Sequence, residues 1–286
     1  MTLFQILILA IVQGAAELLP VSSSAHVIVA AKFLGLDPTT PDMTLLLVML
    51  HTGTMFAVIC YFWRSWREHF FSSGERFRQV FKLVLIATVL TGALGLVLKA
   101  VIEKVFLGNV PHAEIEMLFG NLGLISAALA AAGGLIIVAG LRKAPIGTTA
   151  LGSREAALIG LVQGLCLPFR GFSRSGATIS AGLLLGISRE RAEEFSFALA
   201  VVLTPPVVAR EVMRLLKAHP AAMSAQHPDL VQLFLPSVLG MVMSFLAGLL
   251  ALRWLTNWLE KGRWHYFGYY CLVAAIFVFI SQQMGV

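Results

Sequence analysis

Stretches of about 20 mostly apolar residues, the length a helix needs to cross a bilayer, recur along this chain from one end to the other. They fall at 43–63, 83–102, 118–141, 193–216, 230–252 and 264–283, and those at 118–141 and 230–252 hold no charged residue. A soluble core cannot absorb them. Hydrophobic residues make up 58% of the 286 and charged residues 13%, against roughly 45–50% and about 25% in soluble domains. That balance excludes a soluble enzyme, a disordered chain, and a collagen-like or disulfide scaffold. The recurrence excludes a single-span receptor. The fold class expected is an all-α integral membrane protein. Pro205-Pro206 interrupts the fourth span and is expected to kink or break it. Trp63, Trp66, Trp254, Trp258 and Trp264 stand at span ends, as an interfacial belt would. Cys60, Cys166 and Cys271 lie scattered in apolar sequence without metal-ligand spacing and read as buried small hydrophobes. No Lys or Arg precedes the first apolar run, and Gln13 and Glu17 stand where a cleavable signal would end, so that segment is expected to be retained.

Four further apolar stretches, 2–16, 25–36, 156–169 and 175–187, are too short to span and have the length of re-entrant segments. They form two pairs that resemble each other. Shifted by 150 residues, Val12-Gln13-Gly14 falls on Val162-Gln163-Gly164, Ser23 on Ser173, Ala31 on Ala181 and Leu34 on Leu184. Each pair is parted by a polar break, at residues 20–26 and 171–176. The chain therefore reads as two copies of one unit, 1–142 and 154–286, each a loop-broken helical hairpin followed by three spans, within a single membrane domain. Three crossings between hairpins place them on opposite faces. This is an inverted-topology repeat with six full spans and two re-entrant hairpins, a plan common among transporters.

Loop charge sets the orientation. One side carries 13 basic residues (Arg64, Arg67, Arg76, Arg78, Lys82, Arg142, Lys143, Arg154, Arg189, Arg191, Arg253, Lys261 and Arg263) and the other 6 (Lys32, Lys99, Lys104, Arg210, Arg214 and Lys217). The richer side should be cytoplasmic, with both termini and the first hairpin outside. Arg170 and Arg174 belong to neither set, because they sit inside the second hairpin.

A charge at membrane depth costs on the order of 2.5–3.5 kcal/mol even on insertion scales, so the polar residues of the hairpins call for a function. The first offers Gln13, Glu17, Ser22, Ser23, Ser24 and His26; the second offers Ser173, Arg174, Ser175 and Thr178. Brought together by the repeat, they supply a carboxylate, an imidazole, a guanidinium and hydroxyls. Arg174, followed by Ser175-Gly176 at a helix start, has the donors of an oxyanion site and suits phosphate. Ser22 to Ser24 can cap the other half-helix and aim a second dipole at the same point. Glu17 would repel a phosphate unless a divalent cation lay between them, held by Glu17 and Gln13; oxygen ligands favour magnesium or calcium. Ser23 fits a nucleophile and His26 an acid or base. Plainer readings stand beside these: Ser22 and Ser24 as packing contacts, His51 as a hydrogen-bonded helix contact, Arg174 as a structural partner of Glu17, Gln163 as helix bonding, and 188–194 as a solvated cytoplasmic turn.

Gln13-x-x-x-Glu17, Leu19-Pro-Val-Ser-Ser-Ser-Ala-His26 and Gly171-Phe-Ser-Arg-Ser-Gly-Ala-Thr178 resemble the signatures of the undecaprenyl-diphosphate phosphatases of the BacA type, the bacitracin-resistance protein family. His51-Thr-Gly-Thr54, Phe195-Ser-Phe197 and the overall length extend the resemblance over nearly the whole chain. It implies hydrolysis of undecaprenyl diphosphate to the monophosphate carrier of cell-wall synthesis, in the bacterial inner or plasma membrane, with magnesium or calcium and a site toward the periplasm. Carried over residue by residue, it makes Glu17 and Gln13 the acidic motif, Ser23 the proposed nucleophile, His26 the catalytic histidine and Arg174 the essential arginine. Ser22, Ser173, Ser175, Gly176 and Thr178 are expected to bind phosphate.

Two positions depart from the family pattern. Arg170 stands where Pro is usual and either adds a contact to the diphosphate or marks an altered substrate; Ser24-Ala25 replaces Thr-Gly. The other large class of membrane lipid phosphatases needs His six residues and Asp ten residues after its Arg. Counting from Arg174 gives Ser180 and Leu184, which excludes it. The partners expected are a prenyl diphosphate lipid and the bilayer, with no nucleic acid; a homodimer stays open. A lipid-phosphate transporter or a non-hydrolytic paralogue is the rival reading, and the joint presence of Ser23, His26 and Glu17 argues for hydrolysis.

Overall fold

The computed structural model describes residues 1–17, 19–106, 118, 121–142, 150–218, 230–259 and 264–284, with the side chains at 106, 218, 230–233 and 253–259 left aside. Lys143, Lys261 and Arg263, three of the basic loop residues, lie outside the described residues, as do the side chains of Arg253, Trp254 and Trp258. The described residues form helices and no strand. In chain order these are α1 (Leu3–Glu17), α2 (Ser23–Phe33), α3 (Pro41–His69), α4 (Gly74–Phe106), α5 (Leu122–Leu141), α6 (Ser153–Cys166), α7 (Arg174–Leu184), α8 (Arg189–Ala218), α9 (Leu230–Leu259) and α10 (His265–Gln283). Six of them, α3, α4, α5, α8, α9 and α10, contain a segment long and apolar enough to cross a membrane. The described residues are thus all-helical, the chain is a multi-pass membrane protein, and the four short helices are the four short apolar stretches of the sequence.

The two short pairs share their local structure. α1 and α6 have 15 and 14 residues, and α2 and α7 have 11 each. Ser22 and Ser173 take the N-cap positions of α2 and α7. Gly35 and Gly186 end them at φ 71° and 84°, the left-handed conformation that glycine adopts without a steric penalty. The closing bonds match as well: Leu36 N–H donates to Ala31 O at 2.9 Å, and Ile187 N–H to Gly182 O at 3.0 Å, the long-range bond of a Schellman stop. These pairings differ by 151 residues, not the 150 that aligns Gln13 with Gln163. The second loop has one residue more, so Ser173 corresponds to Ser22 by position, and Ser23 to Arg174.

α3 is the central span, with 56% of its apolar window buried, and α4 is peripheral, with 17%. α3 packs on α9 and α8, α5 on α10, α1 on α9, and α6 on α4. Small residues allow these approaches, as membrane interfaces require. A Cβ at Gly53 would collide with Met241 O and the Ser244 hydroxyl on α9, and one at Gly160 with the Ala87 backbone on α4. At the α2–α3 turn, the Thr39 hydroxyl and N–H both donate to Asp37, holding its carboxyl below its ordinary range.

Several expectations are corrected. α8 runs unbroken through Pro205 and Pro206; α9 likewise contains Pro236. Trp66 and Trp264 are buried in protein and do not join an interfacial belt, whereas Trp63 is exposed. Trp264 Nε1 donates to the Ser180 hydroxyl at 3.0 Å. Cys166 and Cys271 are buried, but Cys60 is exposed on α3. The 188–194 run is no solvated turn at its end: Glu194 is fully buried, accepts from the Ser65 hydroxyl and from His69 Nδ1 (2.8 Å), and faces Arg191 at 3.6 Å.

Gly53→Val, which forces α3 off α9, should cost about 1–3 kcal/mol of stability by overpacking. Thermal unfolding in detergent checks this, with Gly92→Val as a silent control because Gly92 faces open space.

Candidate active site

The loops of the two hairpins meet. A Cβ at Gly176, in the first turn of α7, would lie 3.0 Å from Pro20 O, so glycine there lets the loops touch. Glu17 closes α1 and Arg174 opens α7, and the guanidinium Nη2 donates to Glu17 Oε1 at 3.2 Å. Glu17 Oε2 accepts from Gln13 Nε2 at 2.7 Å, one helical turn back, and from the Ser23 hydroxyl at 2.5 Å. Gln13 Nε2 also reaches Thr54 Oγ1 at 3.4 Å. A carboxylate at a helix C-terminus opposes the helix dipole. Here it is held by three donors, which satisfies the rule that a buried charge be paired.

Ser22, at φ 65° and ψ 82°, is a non-glycine residue held in the left-handed region. That conformation costs of order 1–3 kcal/mol and marks functional sites. It turns the chain so that Ser23 points back at Glu17. The Ser22 side chain does not cap α2; its Oγ lies 3.3 Å from Ser24 Oγ. Ser173 does cap α7, accepting from Gly176 N–H at 3.2 Å.

Glu17, Ser22, Ser23, Ser24, His51, Ser173, Arg174 and Ser175 line a polar cavity of about 50 Å³. Beside it lies a larger one of about 190 Å³, where Arg170, Arg174, His51 and Ser173 face Leu47, Val48, Leu167, Phe169, Phe172, Ala200, Leu203 and Val207. One guanidinium, that of Arg174, borders both cavities, and its Nη1 is buried without a hydrogen-bond partner among the described residues. The pair of cavities offers a cationic, hydroxyl-rich end next to an apolar one.

Most of the residues singled out in the sequence converge, and two do not. Gln13, Glu17, Ser22, Ser23, Ser173, Arg174, Ser175 and Gly176 gather at the loop contact, and Arg170 lines the larger cavity. Thr178 turns away: its hydroxyl is 2.6 Å from that of Ser196 and donates to Arg174 O at 2.8 Å. His26 also faces elsewhere. Its Nδ1 lies 2.8 Å from Ser22 O, and since a carbonyl only accepts, Nδ1 carries the proton. Its Nε2 then accepts from the Tyr270 hydroxyl at 2.7 Å, with the rings stacked at 5.6 Å. Both ring nitrogens are engaged away from Glu17.

His51 takes the place beside Ser23. Its Nδ1 donates to Leu47 O at 2.9 Å, and its Nε2 lies 3.5 Å from Ser23 Oγ and 3.6 Å from Glu17 Oε2. Read as a helix contact, His51 is one, and it is a member of the site as well. The signal was present in His51-Thr-Gly-Thr54, a titratable residue in an otherwise apolar span. Gln163 behaves as helix bonding, donating to Thr91 Oγ1 at 3.1 Å.

The fold and site define a polytopic membrane protein with an ion-paired polar centre assembled from two loop-broken helical hairpins. The pattern of bacitracin resistance protein BacA matches residues 6–277, and the chain belongs to that family. It is 61% identical to "Undecaprenyl-diphosphatase 2" of Acinetobacter baylyi over 95% of both chains. It is 35% identical to an undecaprenyl-diphosphatase of Syntrophotalea carbinolica over 99% of this chain and all of that one. To that of Korarchaeum cryptofilum it is 32% identical, over 96% and 98%.

Tyr270→Phe removes the donor to His26 and should lower unfolding stability by about 0.5–1.5 kcal/mol, as read from denaturation in micelles.

Proposed function

We propose that this chain is an undecaprenyl-diphosphatase, hydrolysing undecaprenyl diphosphate to the monophosphate carrier and phosphate. The observation that carries the reading is the Glu17–Ser23–Arg174 cluster, in which one carboxylate holds the hydroxyl nucleophile on one oxygen and a guanidinium on the other, and among the described residues that guanidinium's Nη1 has no hydrogen-bond partner. In this reading Arg174 Nη1, with Ser173 and Ser175, binds the terminal phosphate, and Arg170 takes the second. The prenyl chain leaves along the apolar side of the larger cavity. Ser23 attacks, and Glu17 orients its hydroxyl.

A divalent cation, magnesium or calcium, fits the donor set. Among the described residues no three of His, Cys, Asp or Glu cluster to form an all-protein cage, but Gln13 Oε1 is buried without a hydrogen-bond partner beside Glu17. Gln13 and Glu17 would hold the ion, with lipid phosphates and water completing its shell, as hard cations accept. When bound, it would neutralise phosphate charge near Glu17 and polarise the phosphoryl oxygens.

The architecture belongs to the same proposal: two units, 1–142 and 154–286, inverted about the membrane plane, with α1–α2 and α6–α7 re-entrant. Exchanged packing supports it, since α1 lies on α9 as α6 lies on α4. So do two contacts between α3 and α8. Thr44 receives Arg214 Nη1 at 3.0 Å, and Glu194, 150 residues on, receives His69. The loop charges orient the Glu17 end toward the periplasm of a bacterial inner membrane.

Glu17→Ala and Arg174→Ala should each abolish phosphate release from a long-chain prenyl diphosphate by the purified protein, and a chelator should do the same to the unmodified chain. A malachite-green phosphate assay reads all three. Normal turnover in both variants refutes the site; lipid transfer between leaflets without phosphate release favours a transporter.

A further inference from the structure

We propose that Arg170 is a specificity-determining residue of the phosphatase reaction proposed above, on which the inference rests: its guanidinium binds the inner phosphate, the one that stays on the lipid. The order of groups across the two cavities carries this. Glu17 and Ser23 line the small cavity alone, while Arg170 and the apolar Phe169, Phe172 and Leu203 line the large one alone. Arg174 borders both. The groups therefore run from hydroxyl nucleophile to Arg174, then Arg170, then an apolar wall. A prenyl diphosphate runs in the same order, from terminal phosphate to inner phosphate to hydrocarbon. With the terminal phosphorus at Ser23, the inner phosphate falls on the side of Arg170.

Charge points the same way. Among the residues lining the larger cavity are two guanidinia, Arg170 and Arg174, and no carboxylate. Two like charges sharing a cavity at membrane depth each raise the cost of the other, and an anion placed between them lowers it. A guanidinium fork matches two oxygens of one phosphate. Each arginine can thus take one phosphate of a diphosphate, whereas a monophosphate engages one fork at a time.

The backbone sets Arg170 in position. Phe172 N–H donates to Phe169 O at 3.2 Å, which makes residues 169–172 a turn with Arg170 second and Gly171 third. Gly171 has φ 106°, the positive value that a type II turn needs at its third position. A Cβ there would lie 2.6 Å from Ile125 O, so the turn is pressed against α5. The second position of such a turn suits proline, and the turn itself therefore does not call for an arginine.

Hydrolysis removes the phosphate held at Arg174 and leaves the one held at Arg170. A single contact then has two effects. It favours a diphosphate over a monophosphate when substrate binds, and it retains the lipid monophosphate after the reaction. Inorganic phosphate, which belongs at Arg174, is indifferent to it.

Arg170→Gln, Arg170→Lys and Arg170→Pro, the last matched to the turn, are compared with the unsubstituted protein in micelles containing a divalent cation. Turnover of radiolabelled long-chain prenyl diphosphate is read by chromatography of the lipid product, with the corresponding prenyl monophosphate or inorganic phosphate added as inhibitor. Arg170→Gln and Arg170→Pro should raise both KM for the diphosphate and the inhibition constant of prenyl monophosphate by about 10- to 100-fold. The inhibition constant of inorganic phosphate should stay as it was. Arg170→Lys keeps the charge without the planar fork and should fall between. An unchanged constant for prenyl monophosphate, in a variant whose thermal unfolding matches the unsubstituted protein, overturns the proposal. An equal rise for inorganic phosphate also overturns it, since that is the mark of a general field and not of an inner-phosphate subsite. If the unsubstituted protein releases no phosphate, the phosphatase reading itself fails; calorimetric binding of prenyl monophosphate to the same four proteins then decides the role of Arg170 by itself.

Discussion

A buried carboxylate and a partly exposed guanidinium, 3.2 Å apart at the tips of two broken hairpins, are the contact on which the arrangement turns. Either charge alone would be expelled from the hydrocarbon layer or neutralised. Together they tolerate burial only while both loops stay in place, because removing one partner strands the other. The ion pair therefore fixes the α1–α2 loop against the α6–α7 loop, and with them the hydroxyls of Ser23, Ser173 and Ser175. Desolvation, the usual objection to such a pair, is what makes it informative. The bundle keeps an expensive feature where hydrophobic packing would cost less, and surrounds it with donors that a membrane helix does not otherwise need.

The immediate surroundings of that pair differ in kind on its two sides. Toward Ser22 and Ser24 the lining is hydroxyl and carboxylate; toward α8 it is Leu, Phe and Val. Arg174 borders both. A guanidinium is weakly hydrated and planar, so it tolerates an apolar neighbour better than an ammonium would. A cationic, hydroxyl-bearing face and an apolar one thus stand side by side at Arg174.

What could be read in the sequence follows from how each feature is encoded. Glu17 and Arg174 were legible because a charge in apolar sequence is conspicuous, and the short lengths of α1, α2, α6 and α7 were legible because span length is set by bilayer thickness. The likeness of the two short-helix pairs was legible in its outline but not in its register, since one added loop residue moves the offset from 150 to 151 within a single pair. Side-chain direction was not legible. His26 sits among serines in sequence, yet the left-handed turn at Ser22 sends Ser23 toward Glu17 and His26 toward Tyr270. His51 lies 34 residues from Glu17 in an apolar span, and only the packing of α3 against the hairpin brings them together. Glu194 looked solvated beside Arg189 and Arg191, but its depth depends on His69 and Ser65 from a helix more than a hundred residues earlier. Pro205 and Pro206 illustrate the converse: α8 continues through both as one helix, and near its ends it is bonded to α3 through Arg214 and Glu194.

That last restraint has a mechanical meaning. α3 and α8 cross in opposite directions and are fastened twice, by Arg214 to Thr44 near one end and by Glu194 to His69 near the other. Between these two rungs lie His51, Leu47, Ala200, Leu203 and Val207, the walls of the larger cavity. A slot closed by a rung at each end has a fixed height. Parting α3 from α8 at either end therefore means breaking one of these polar contacts.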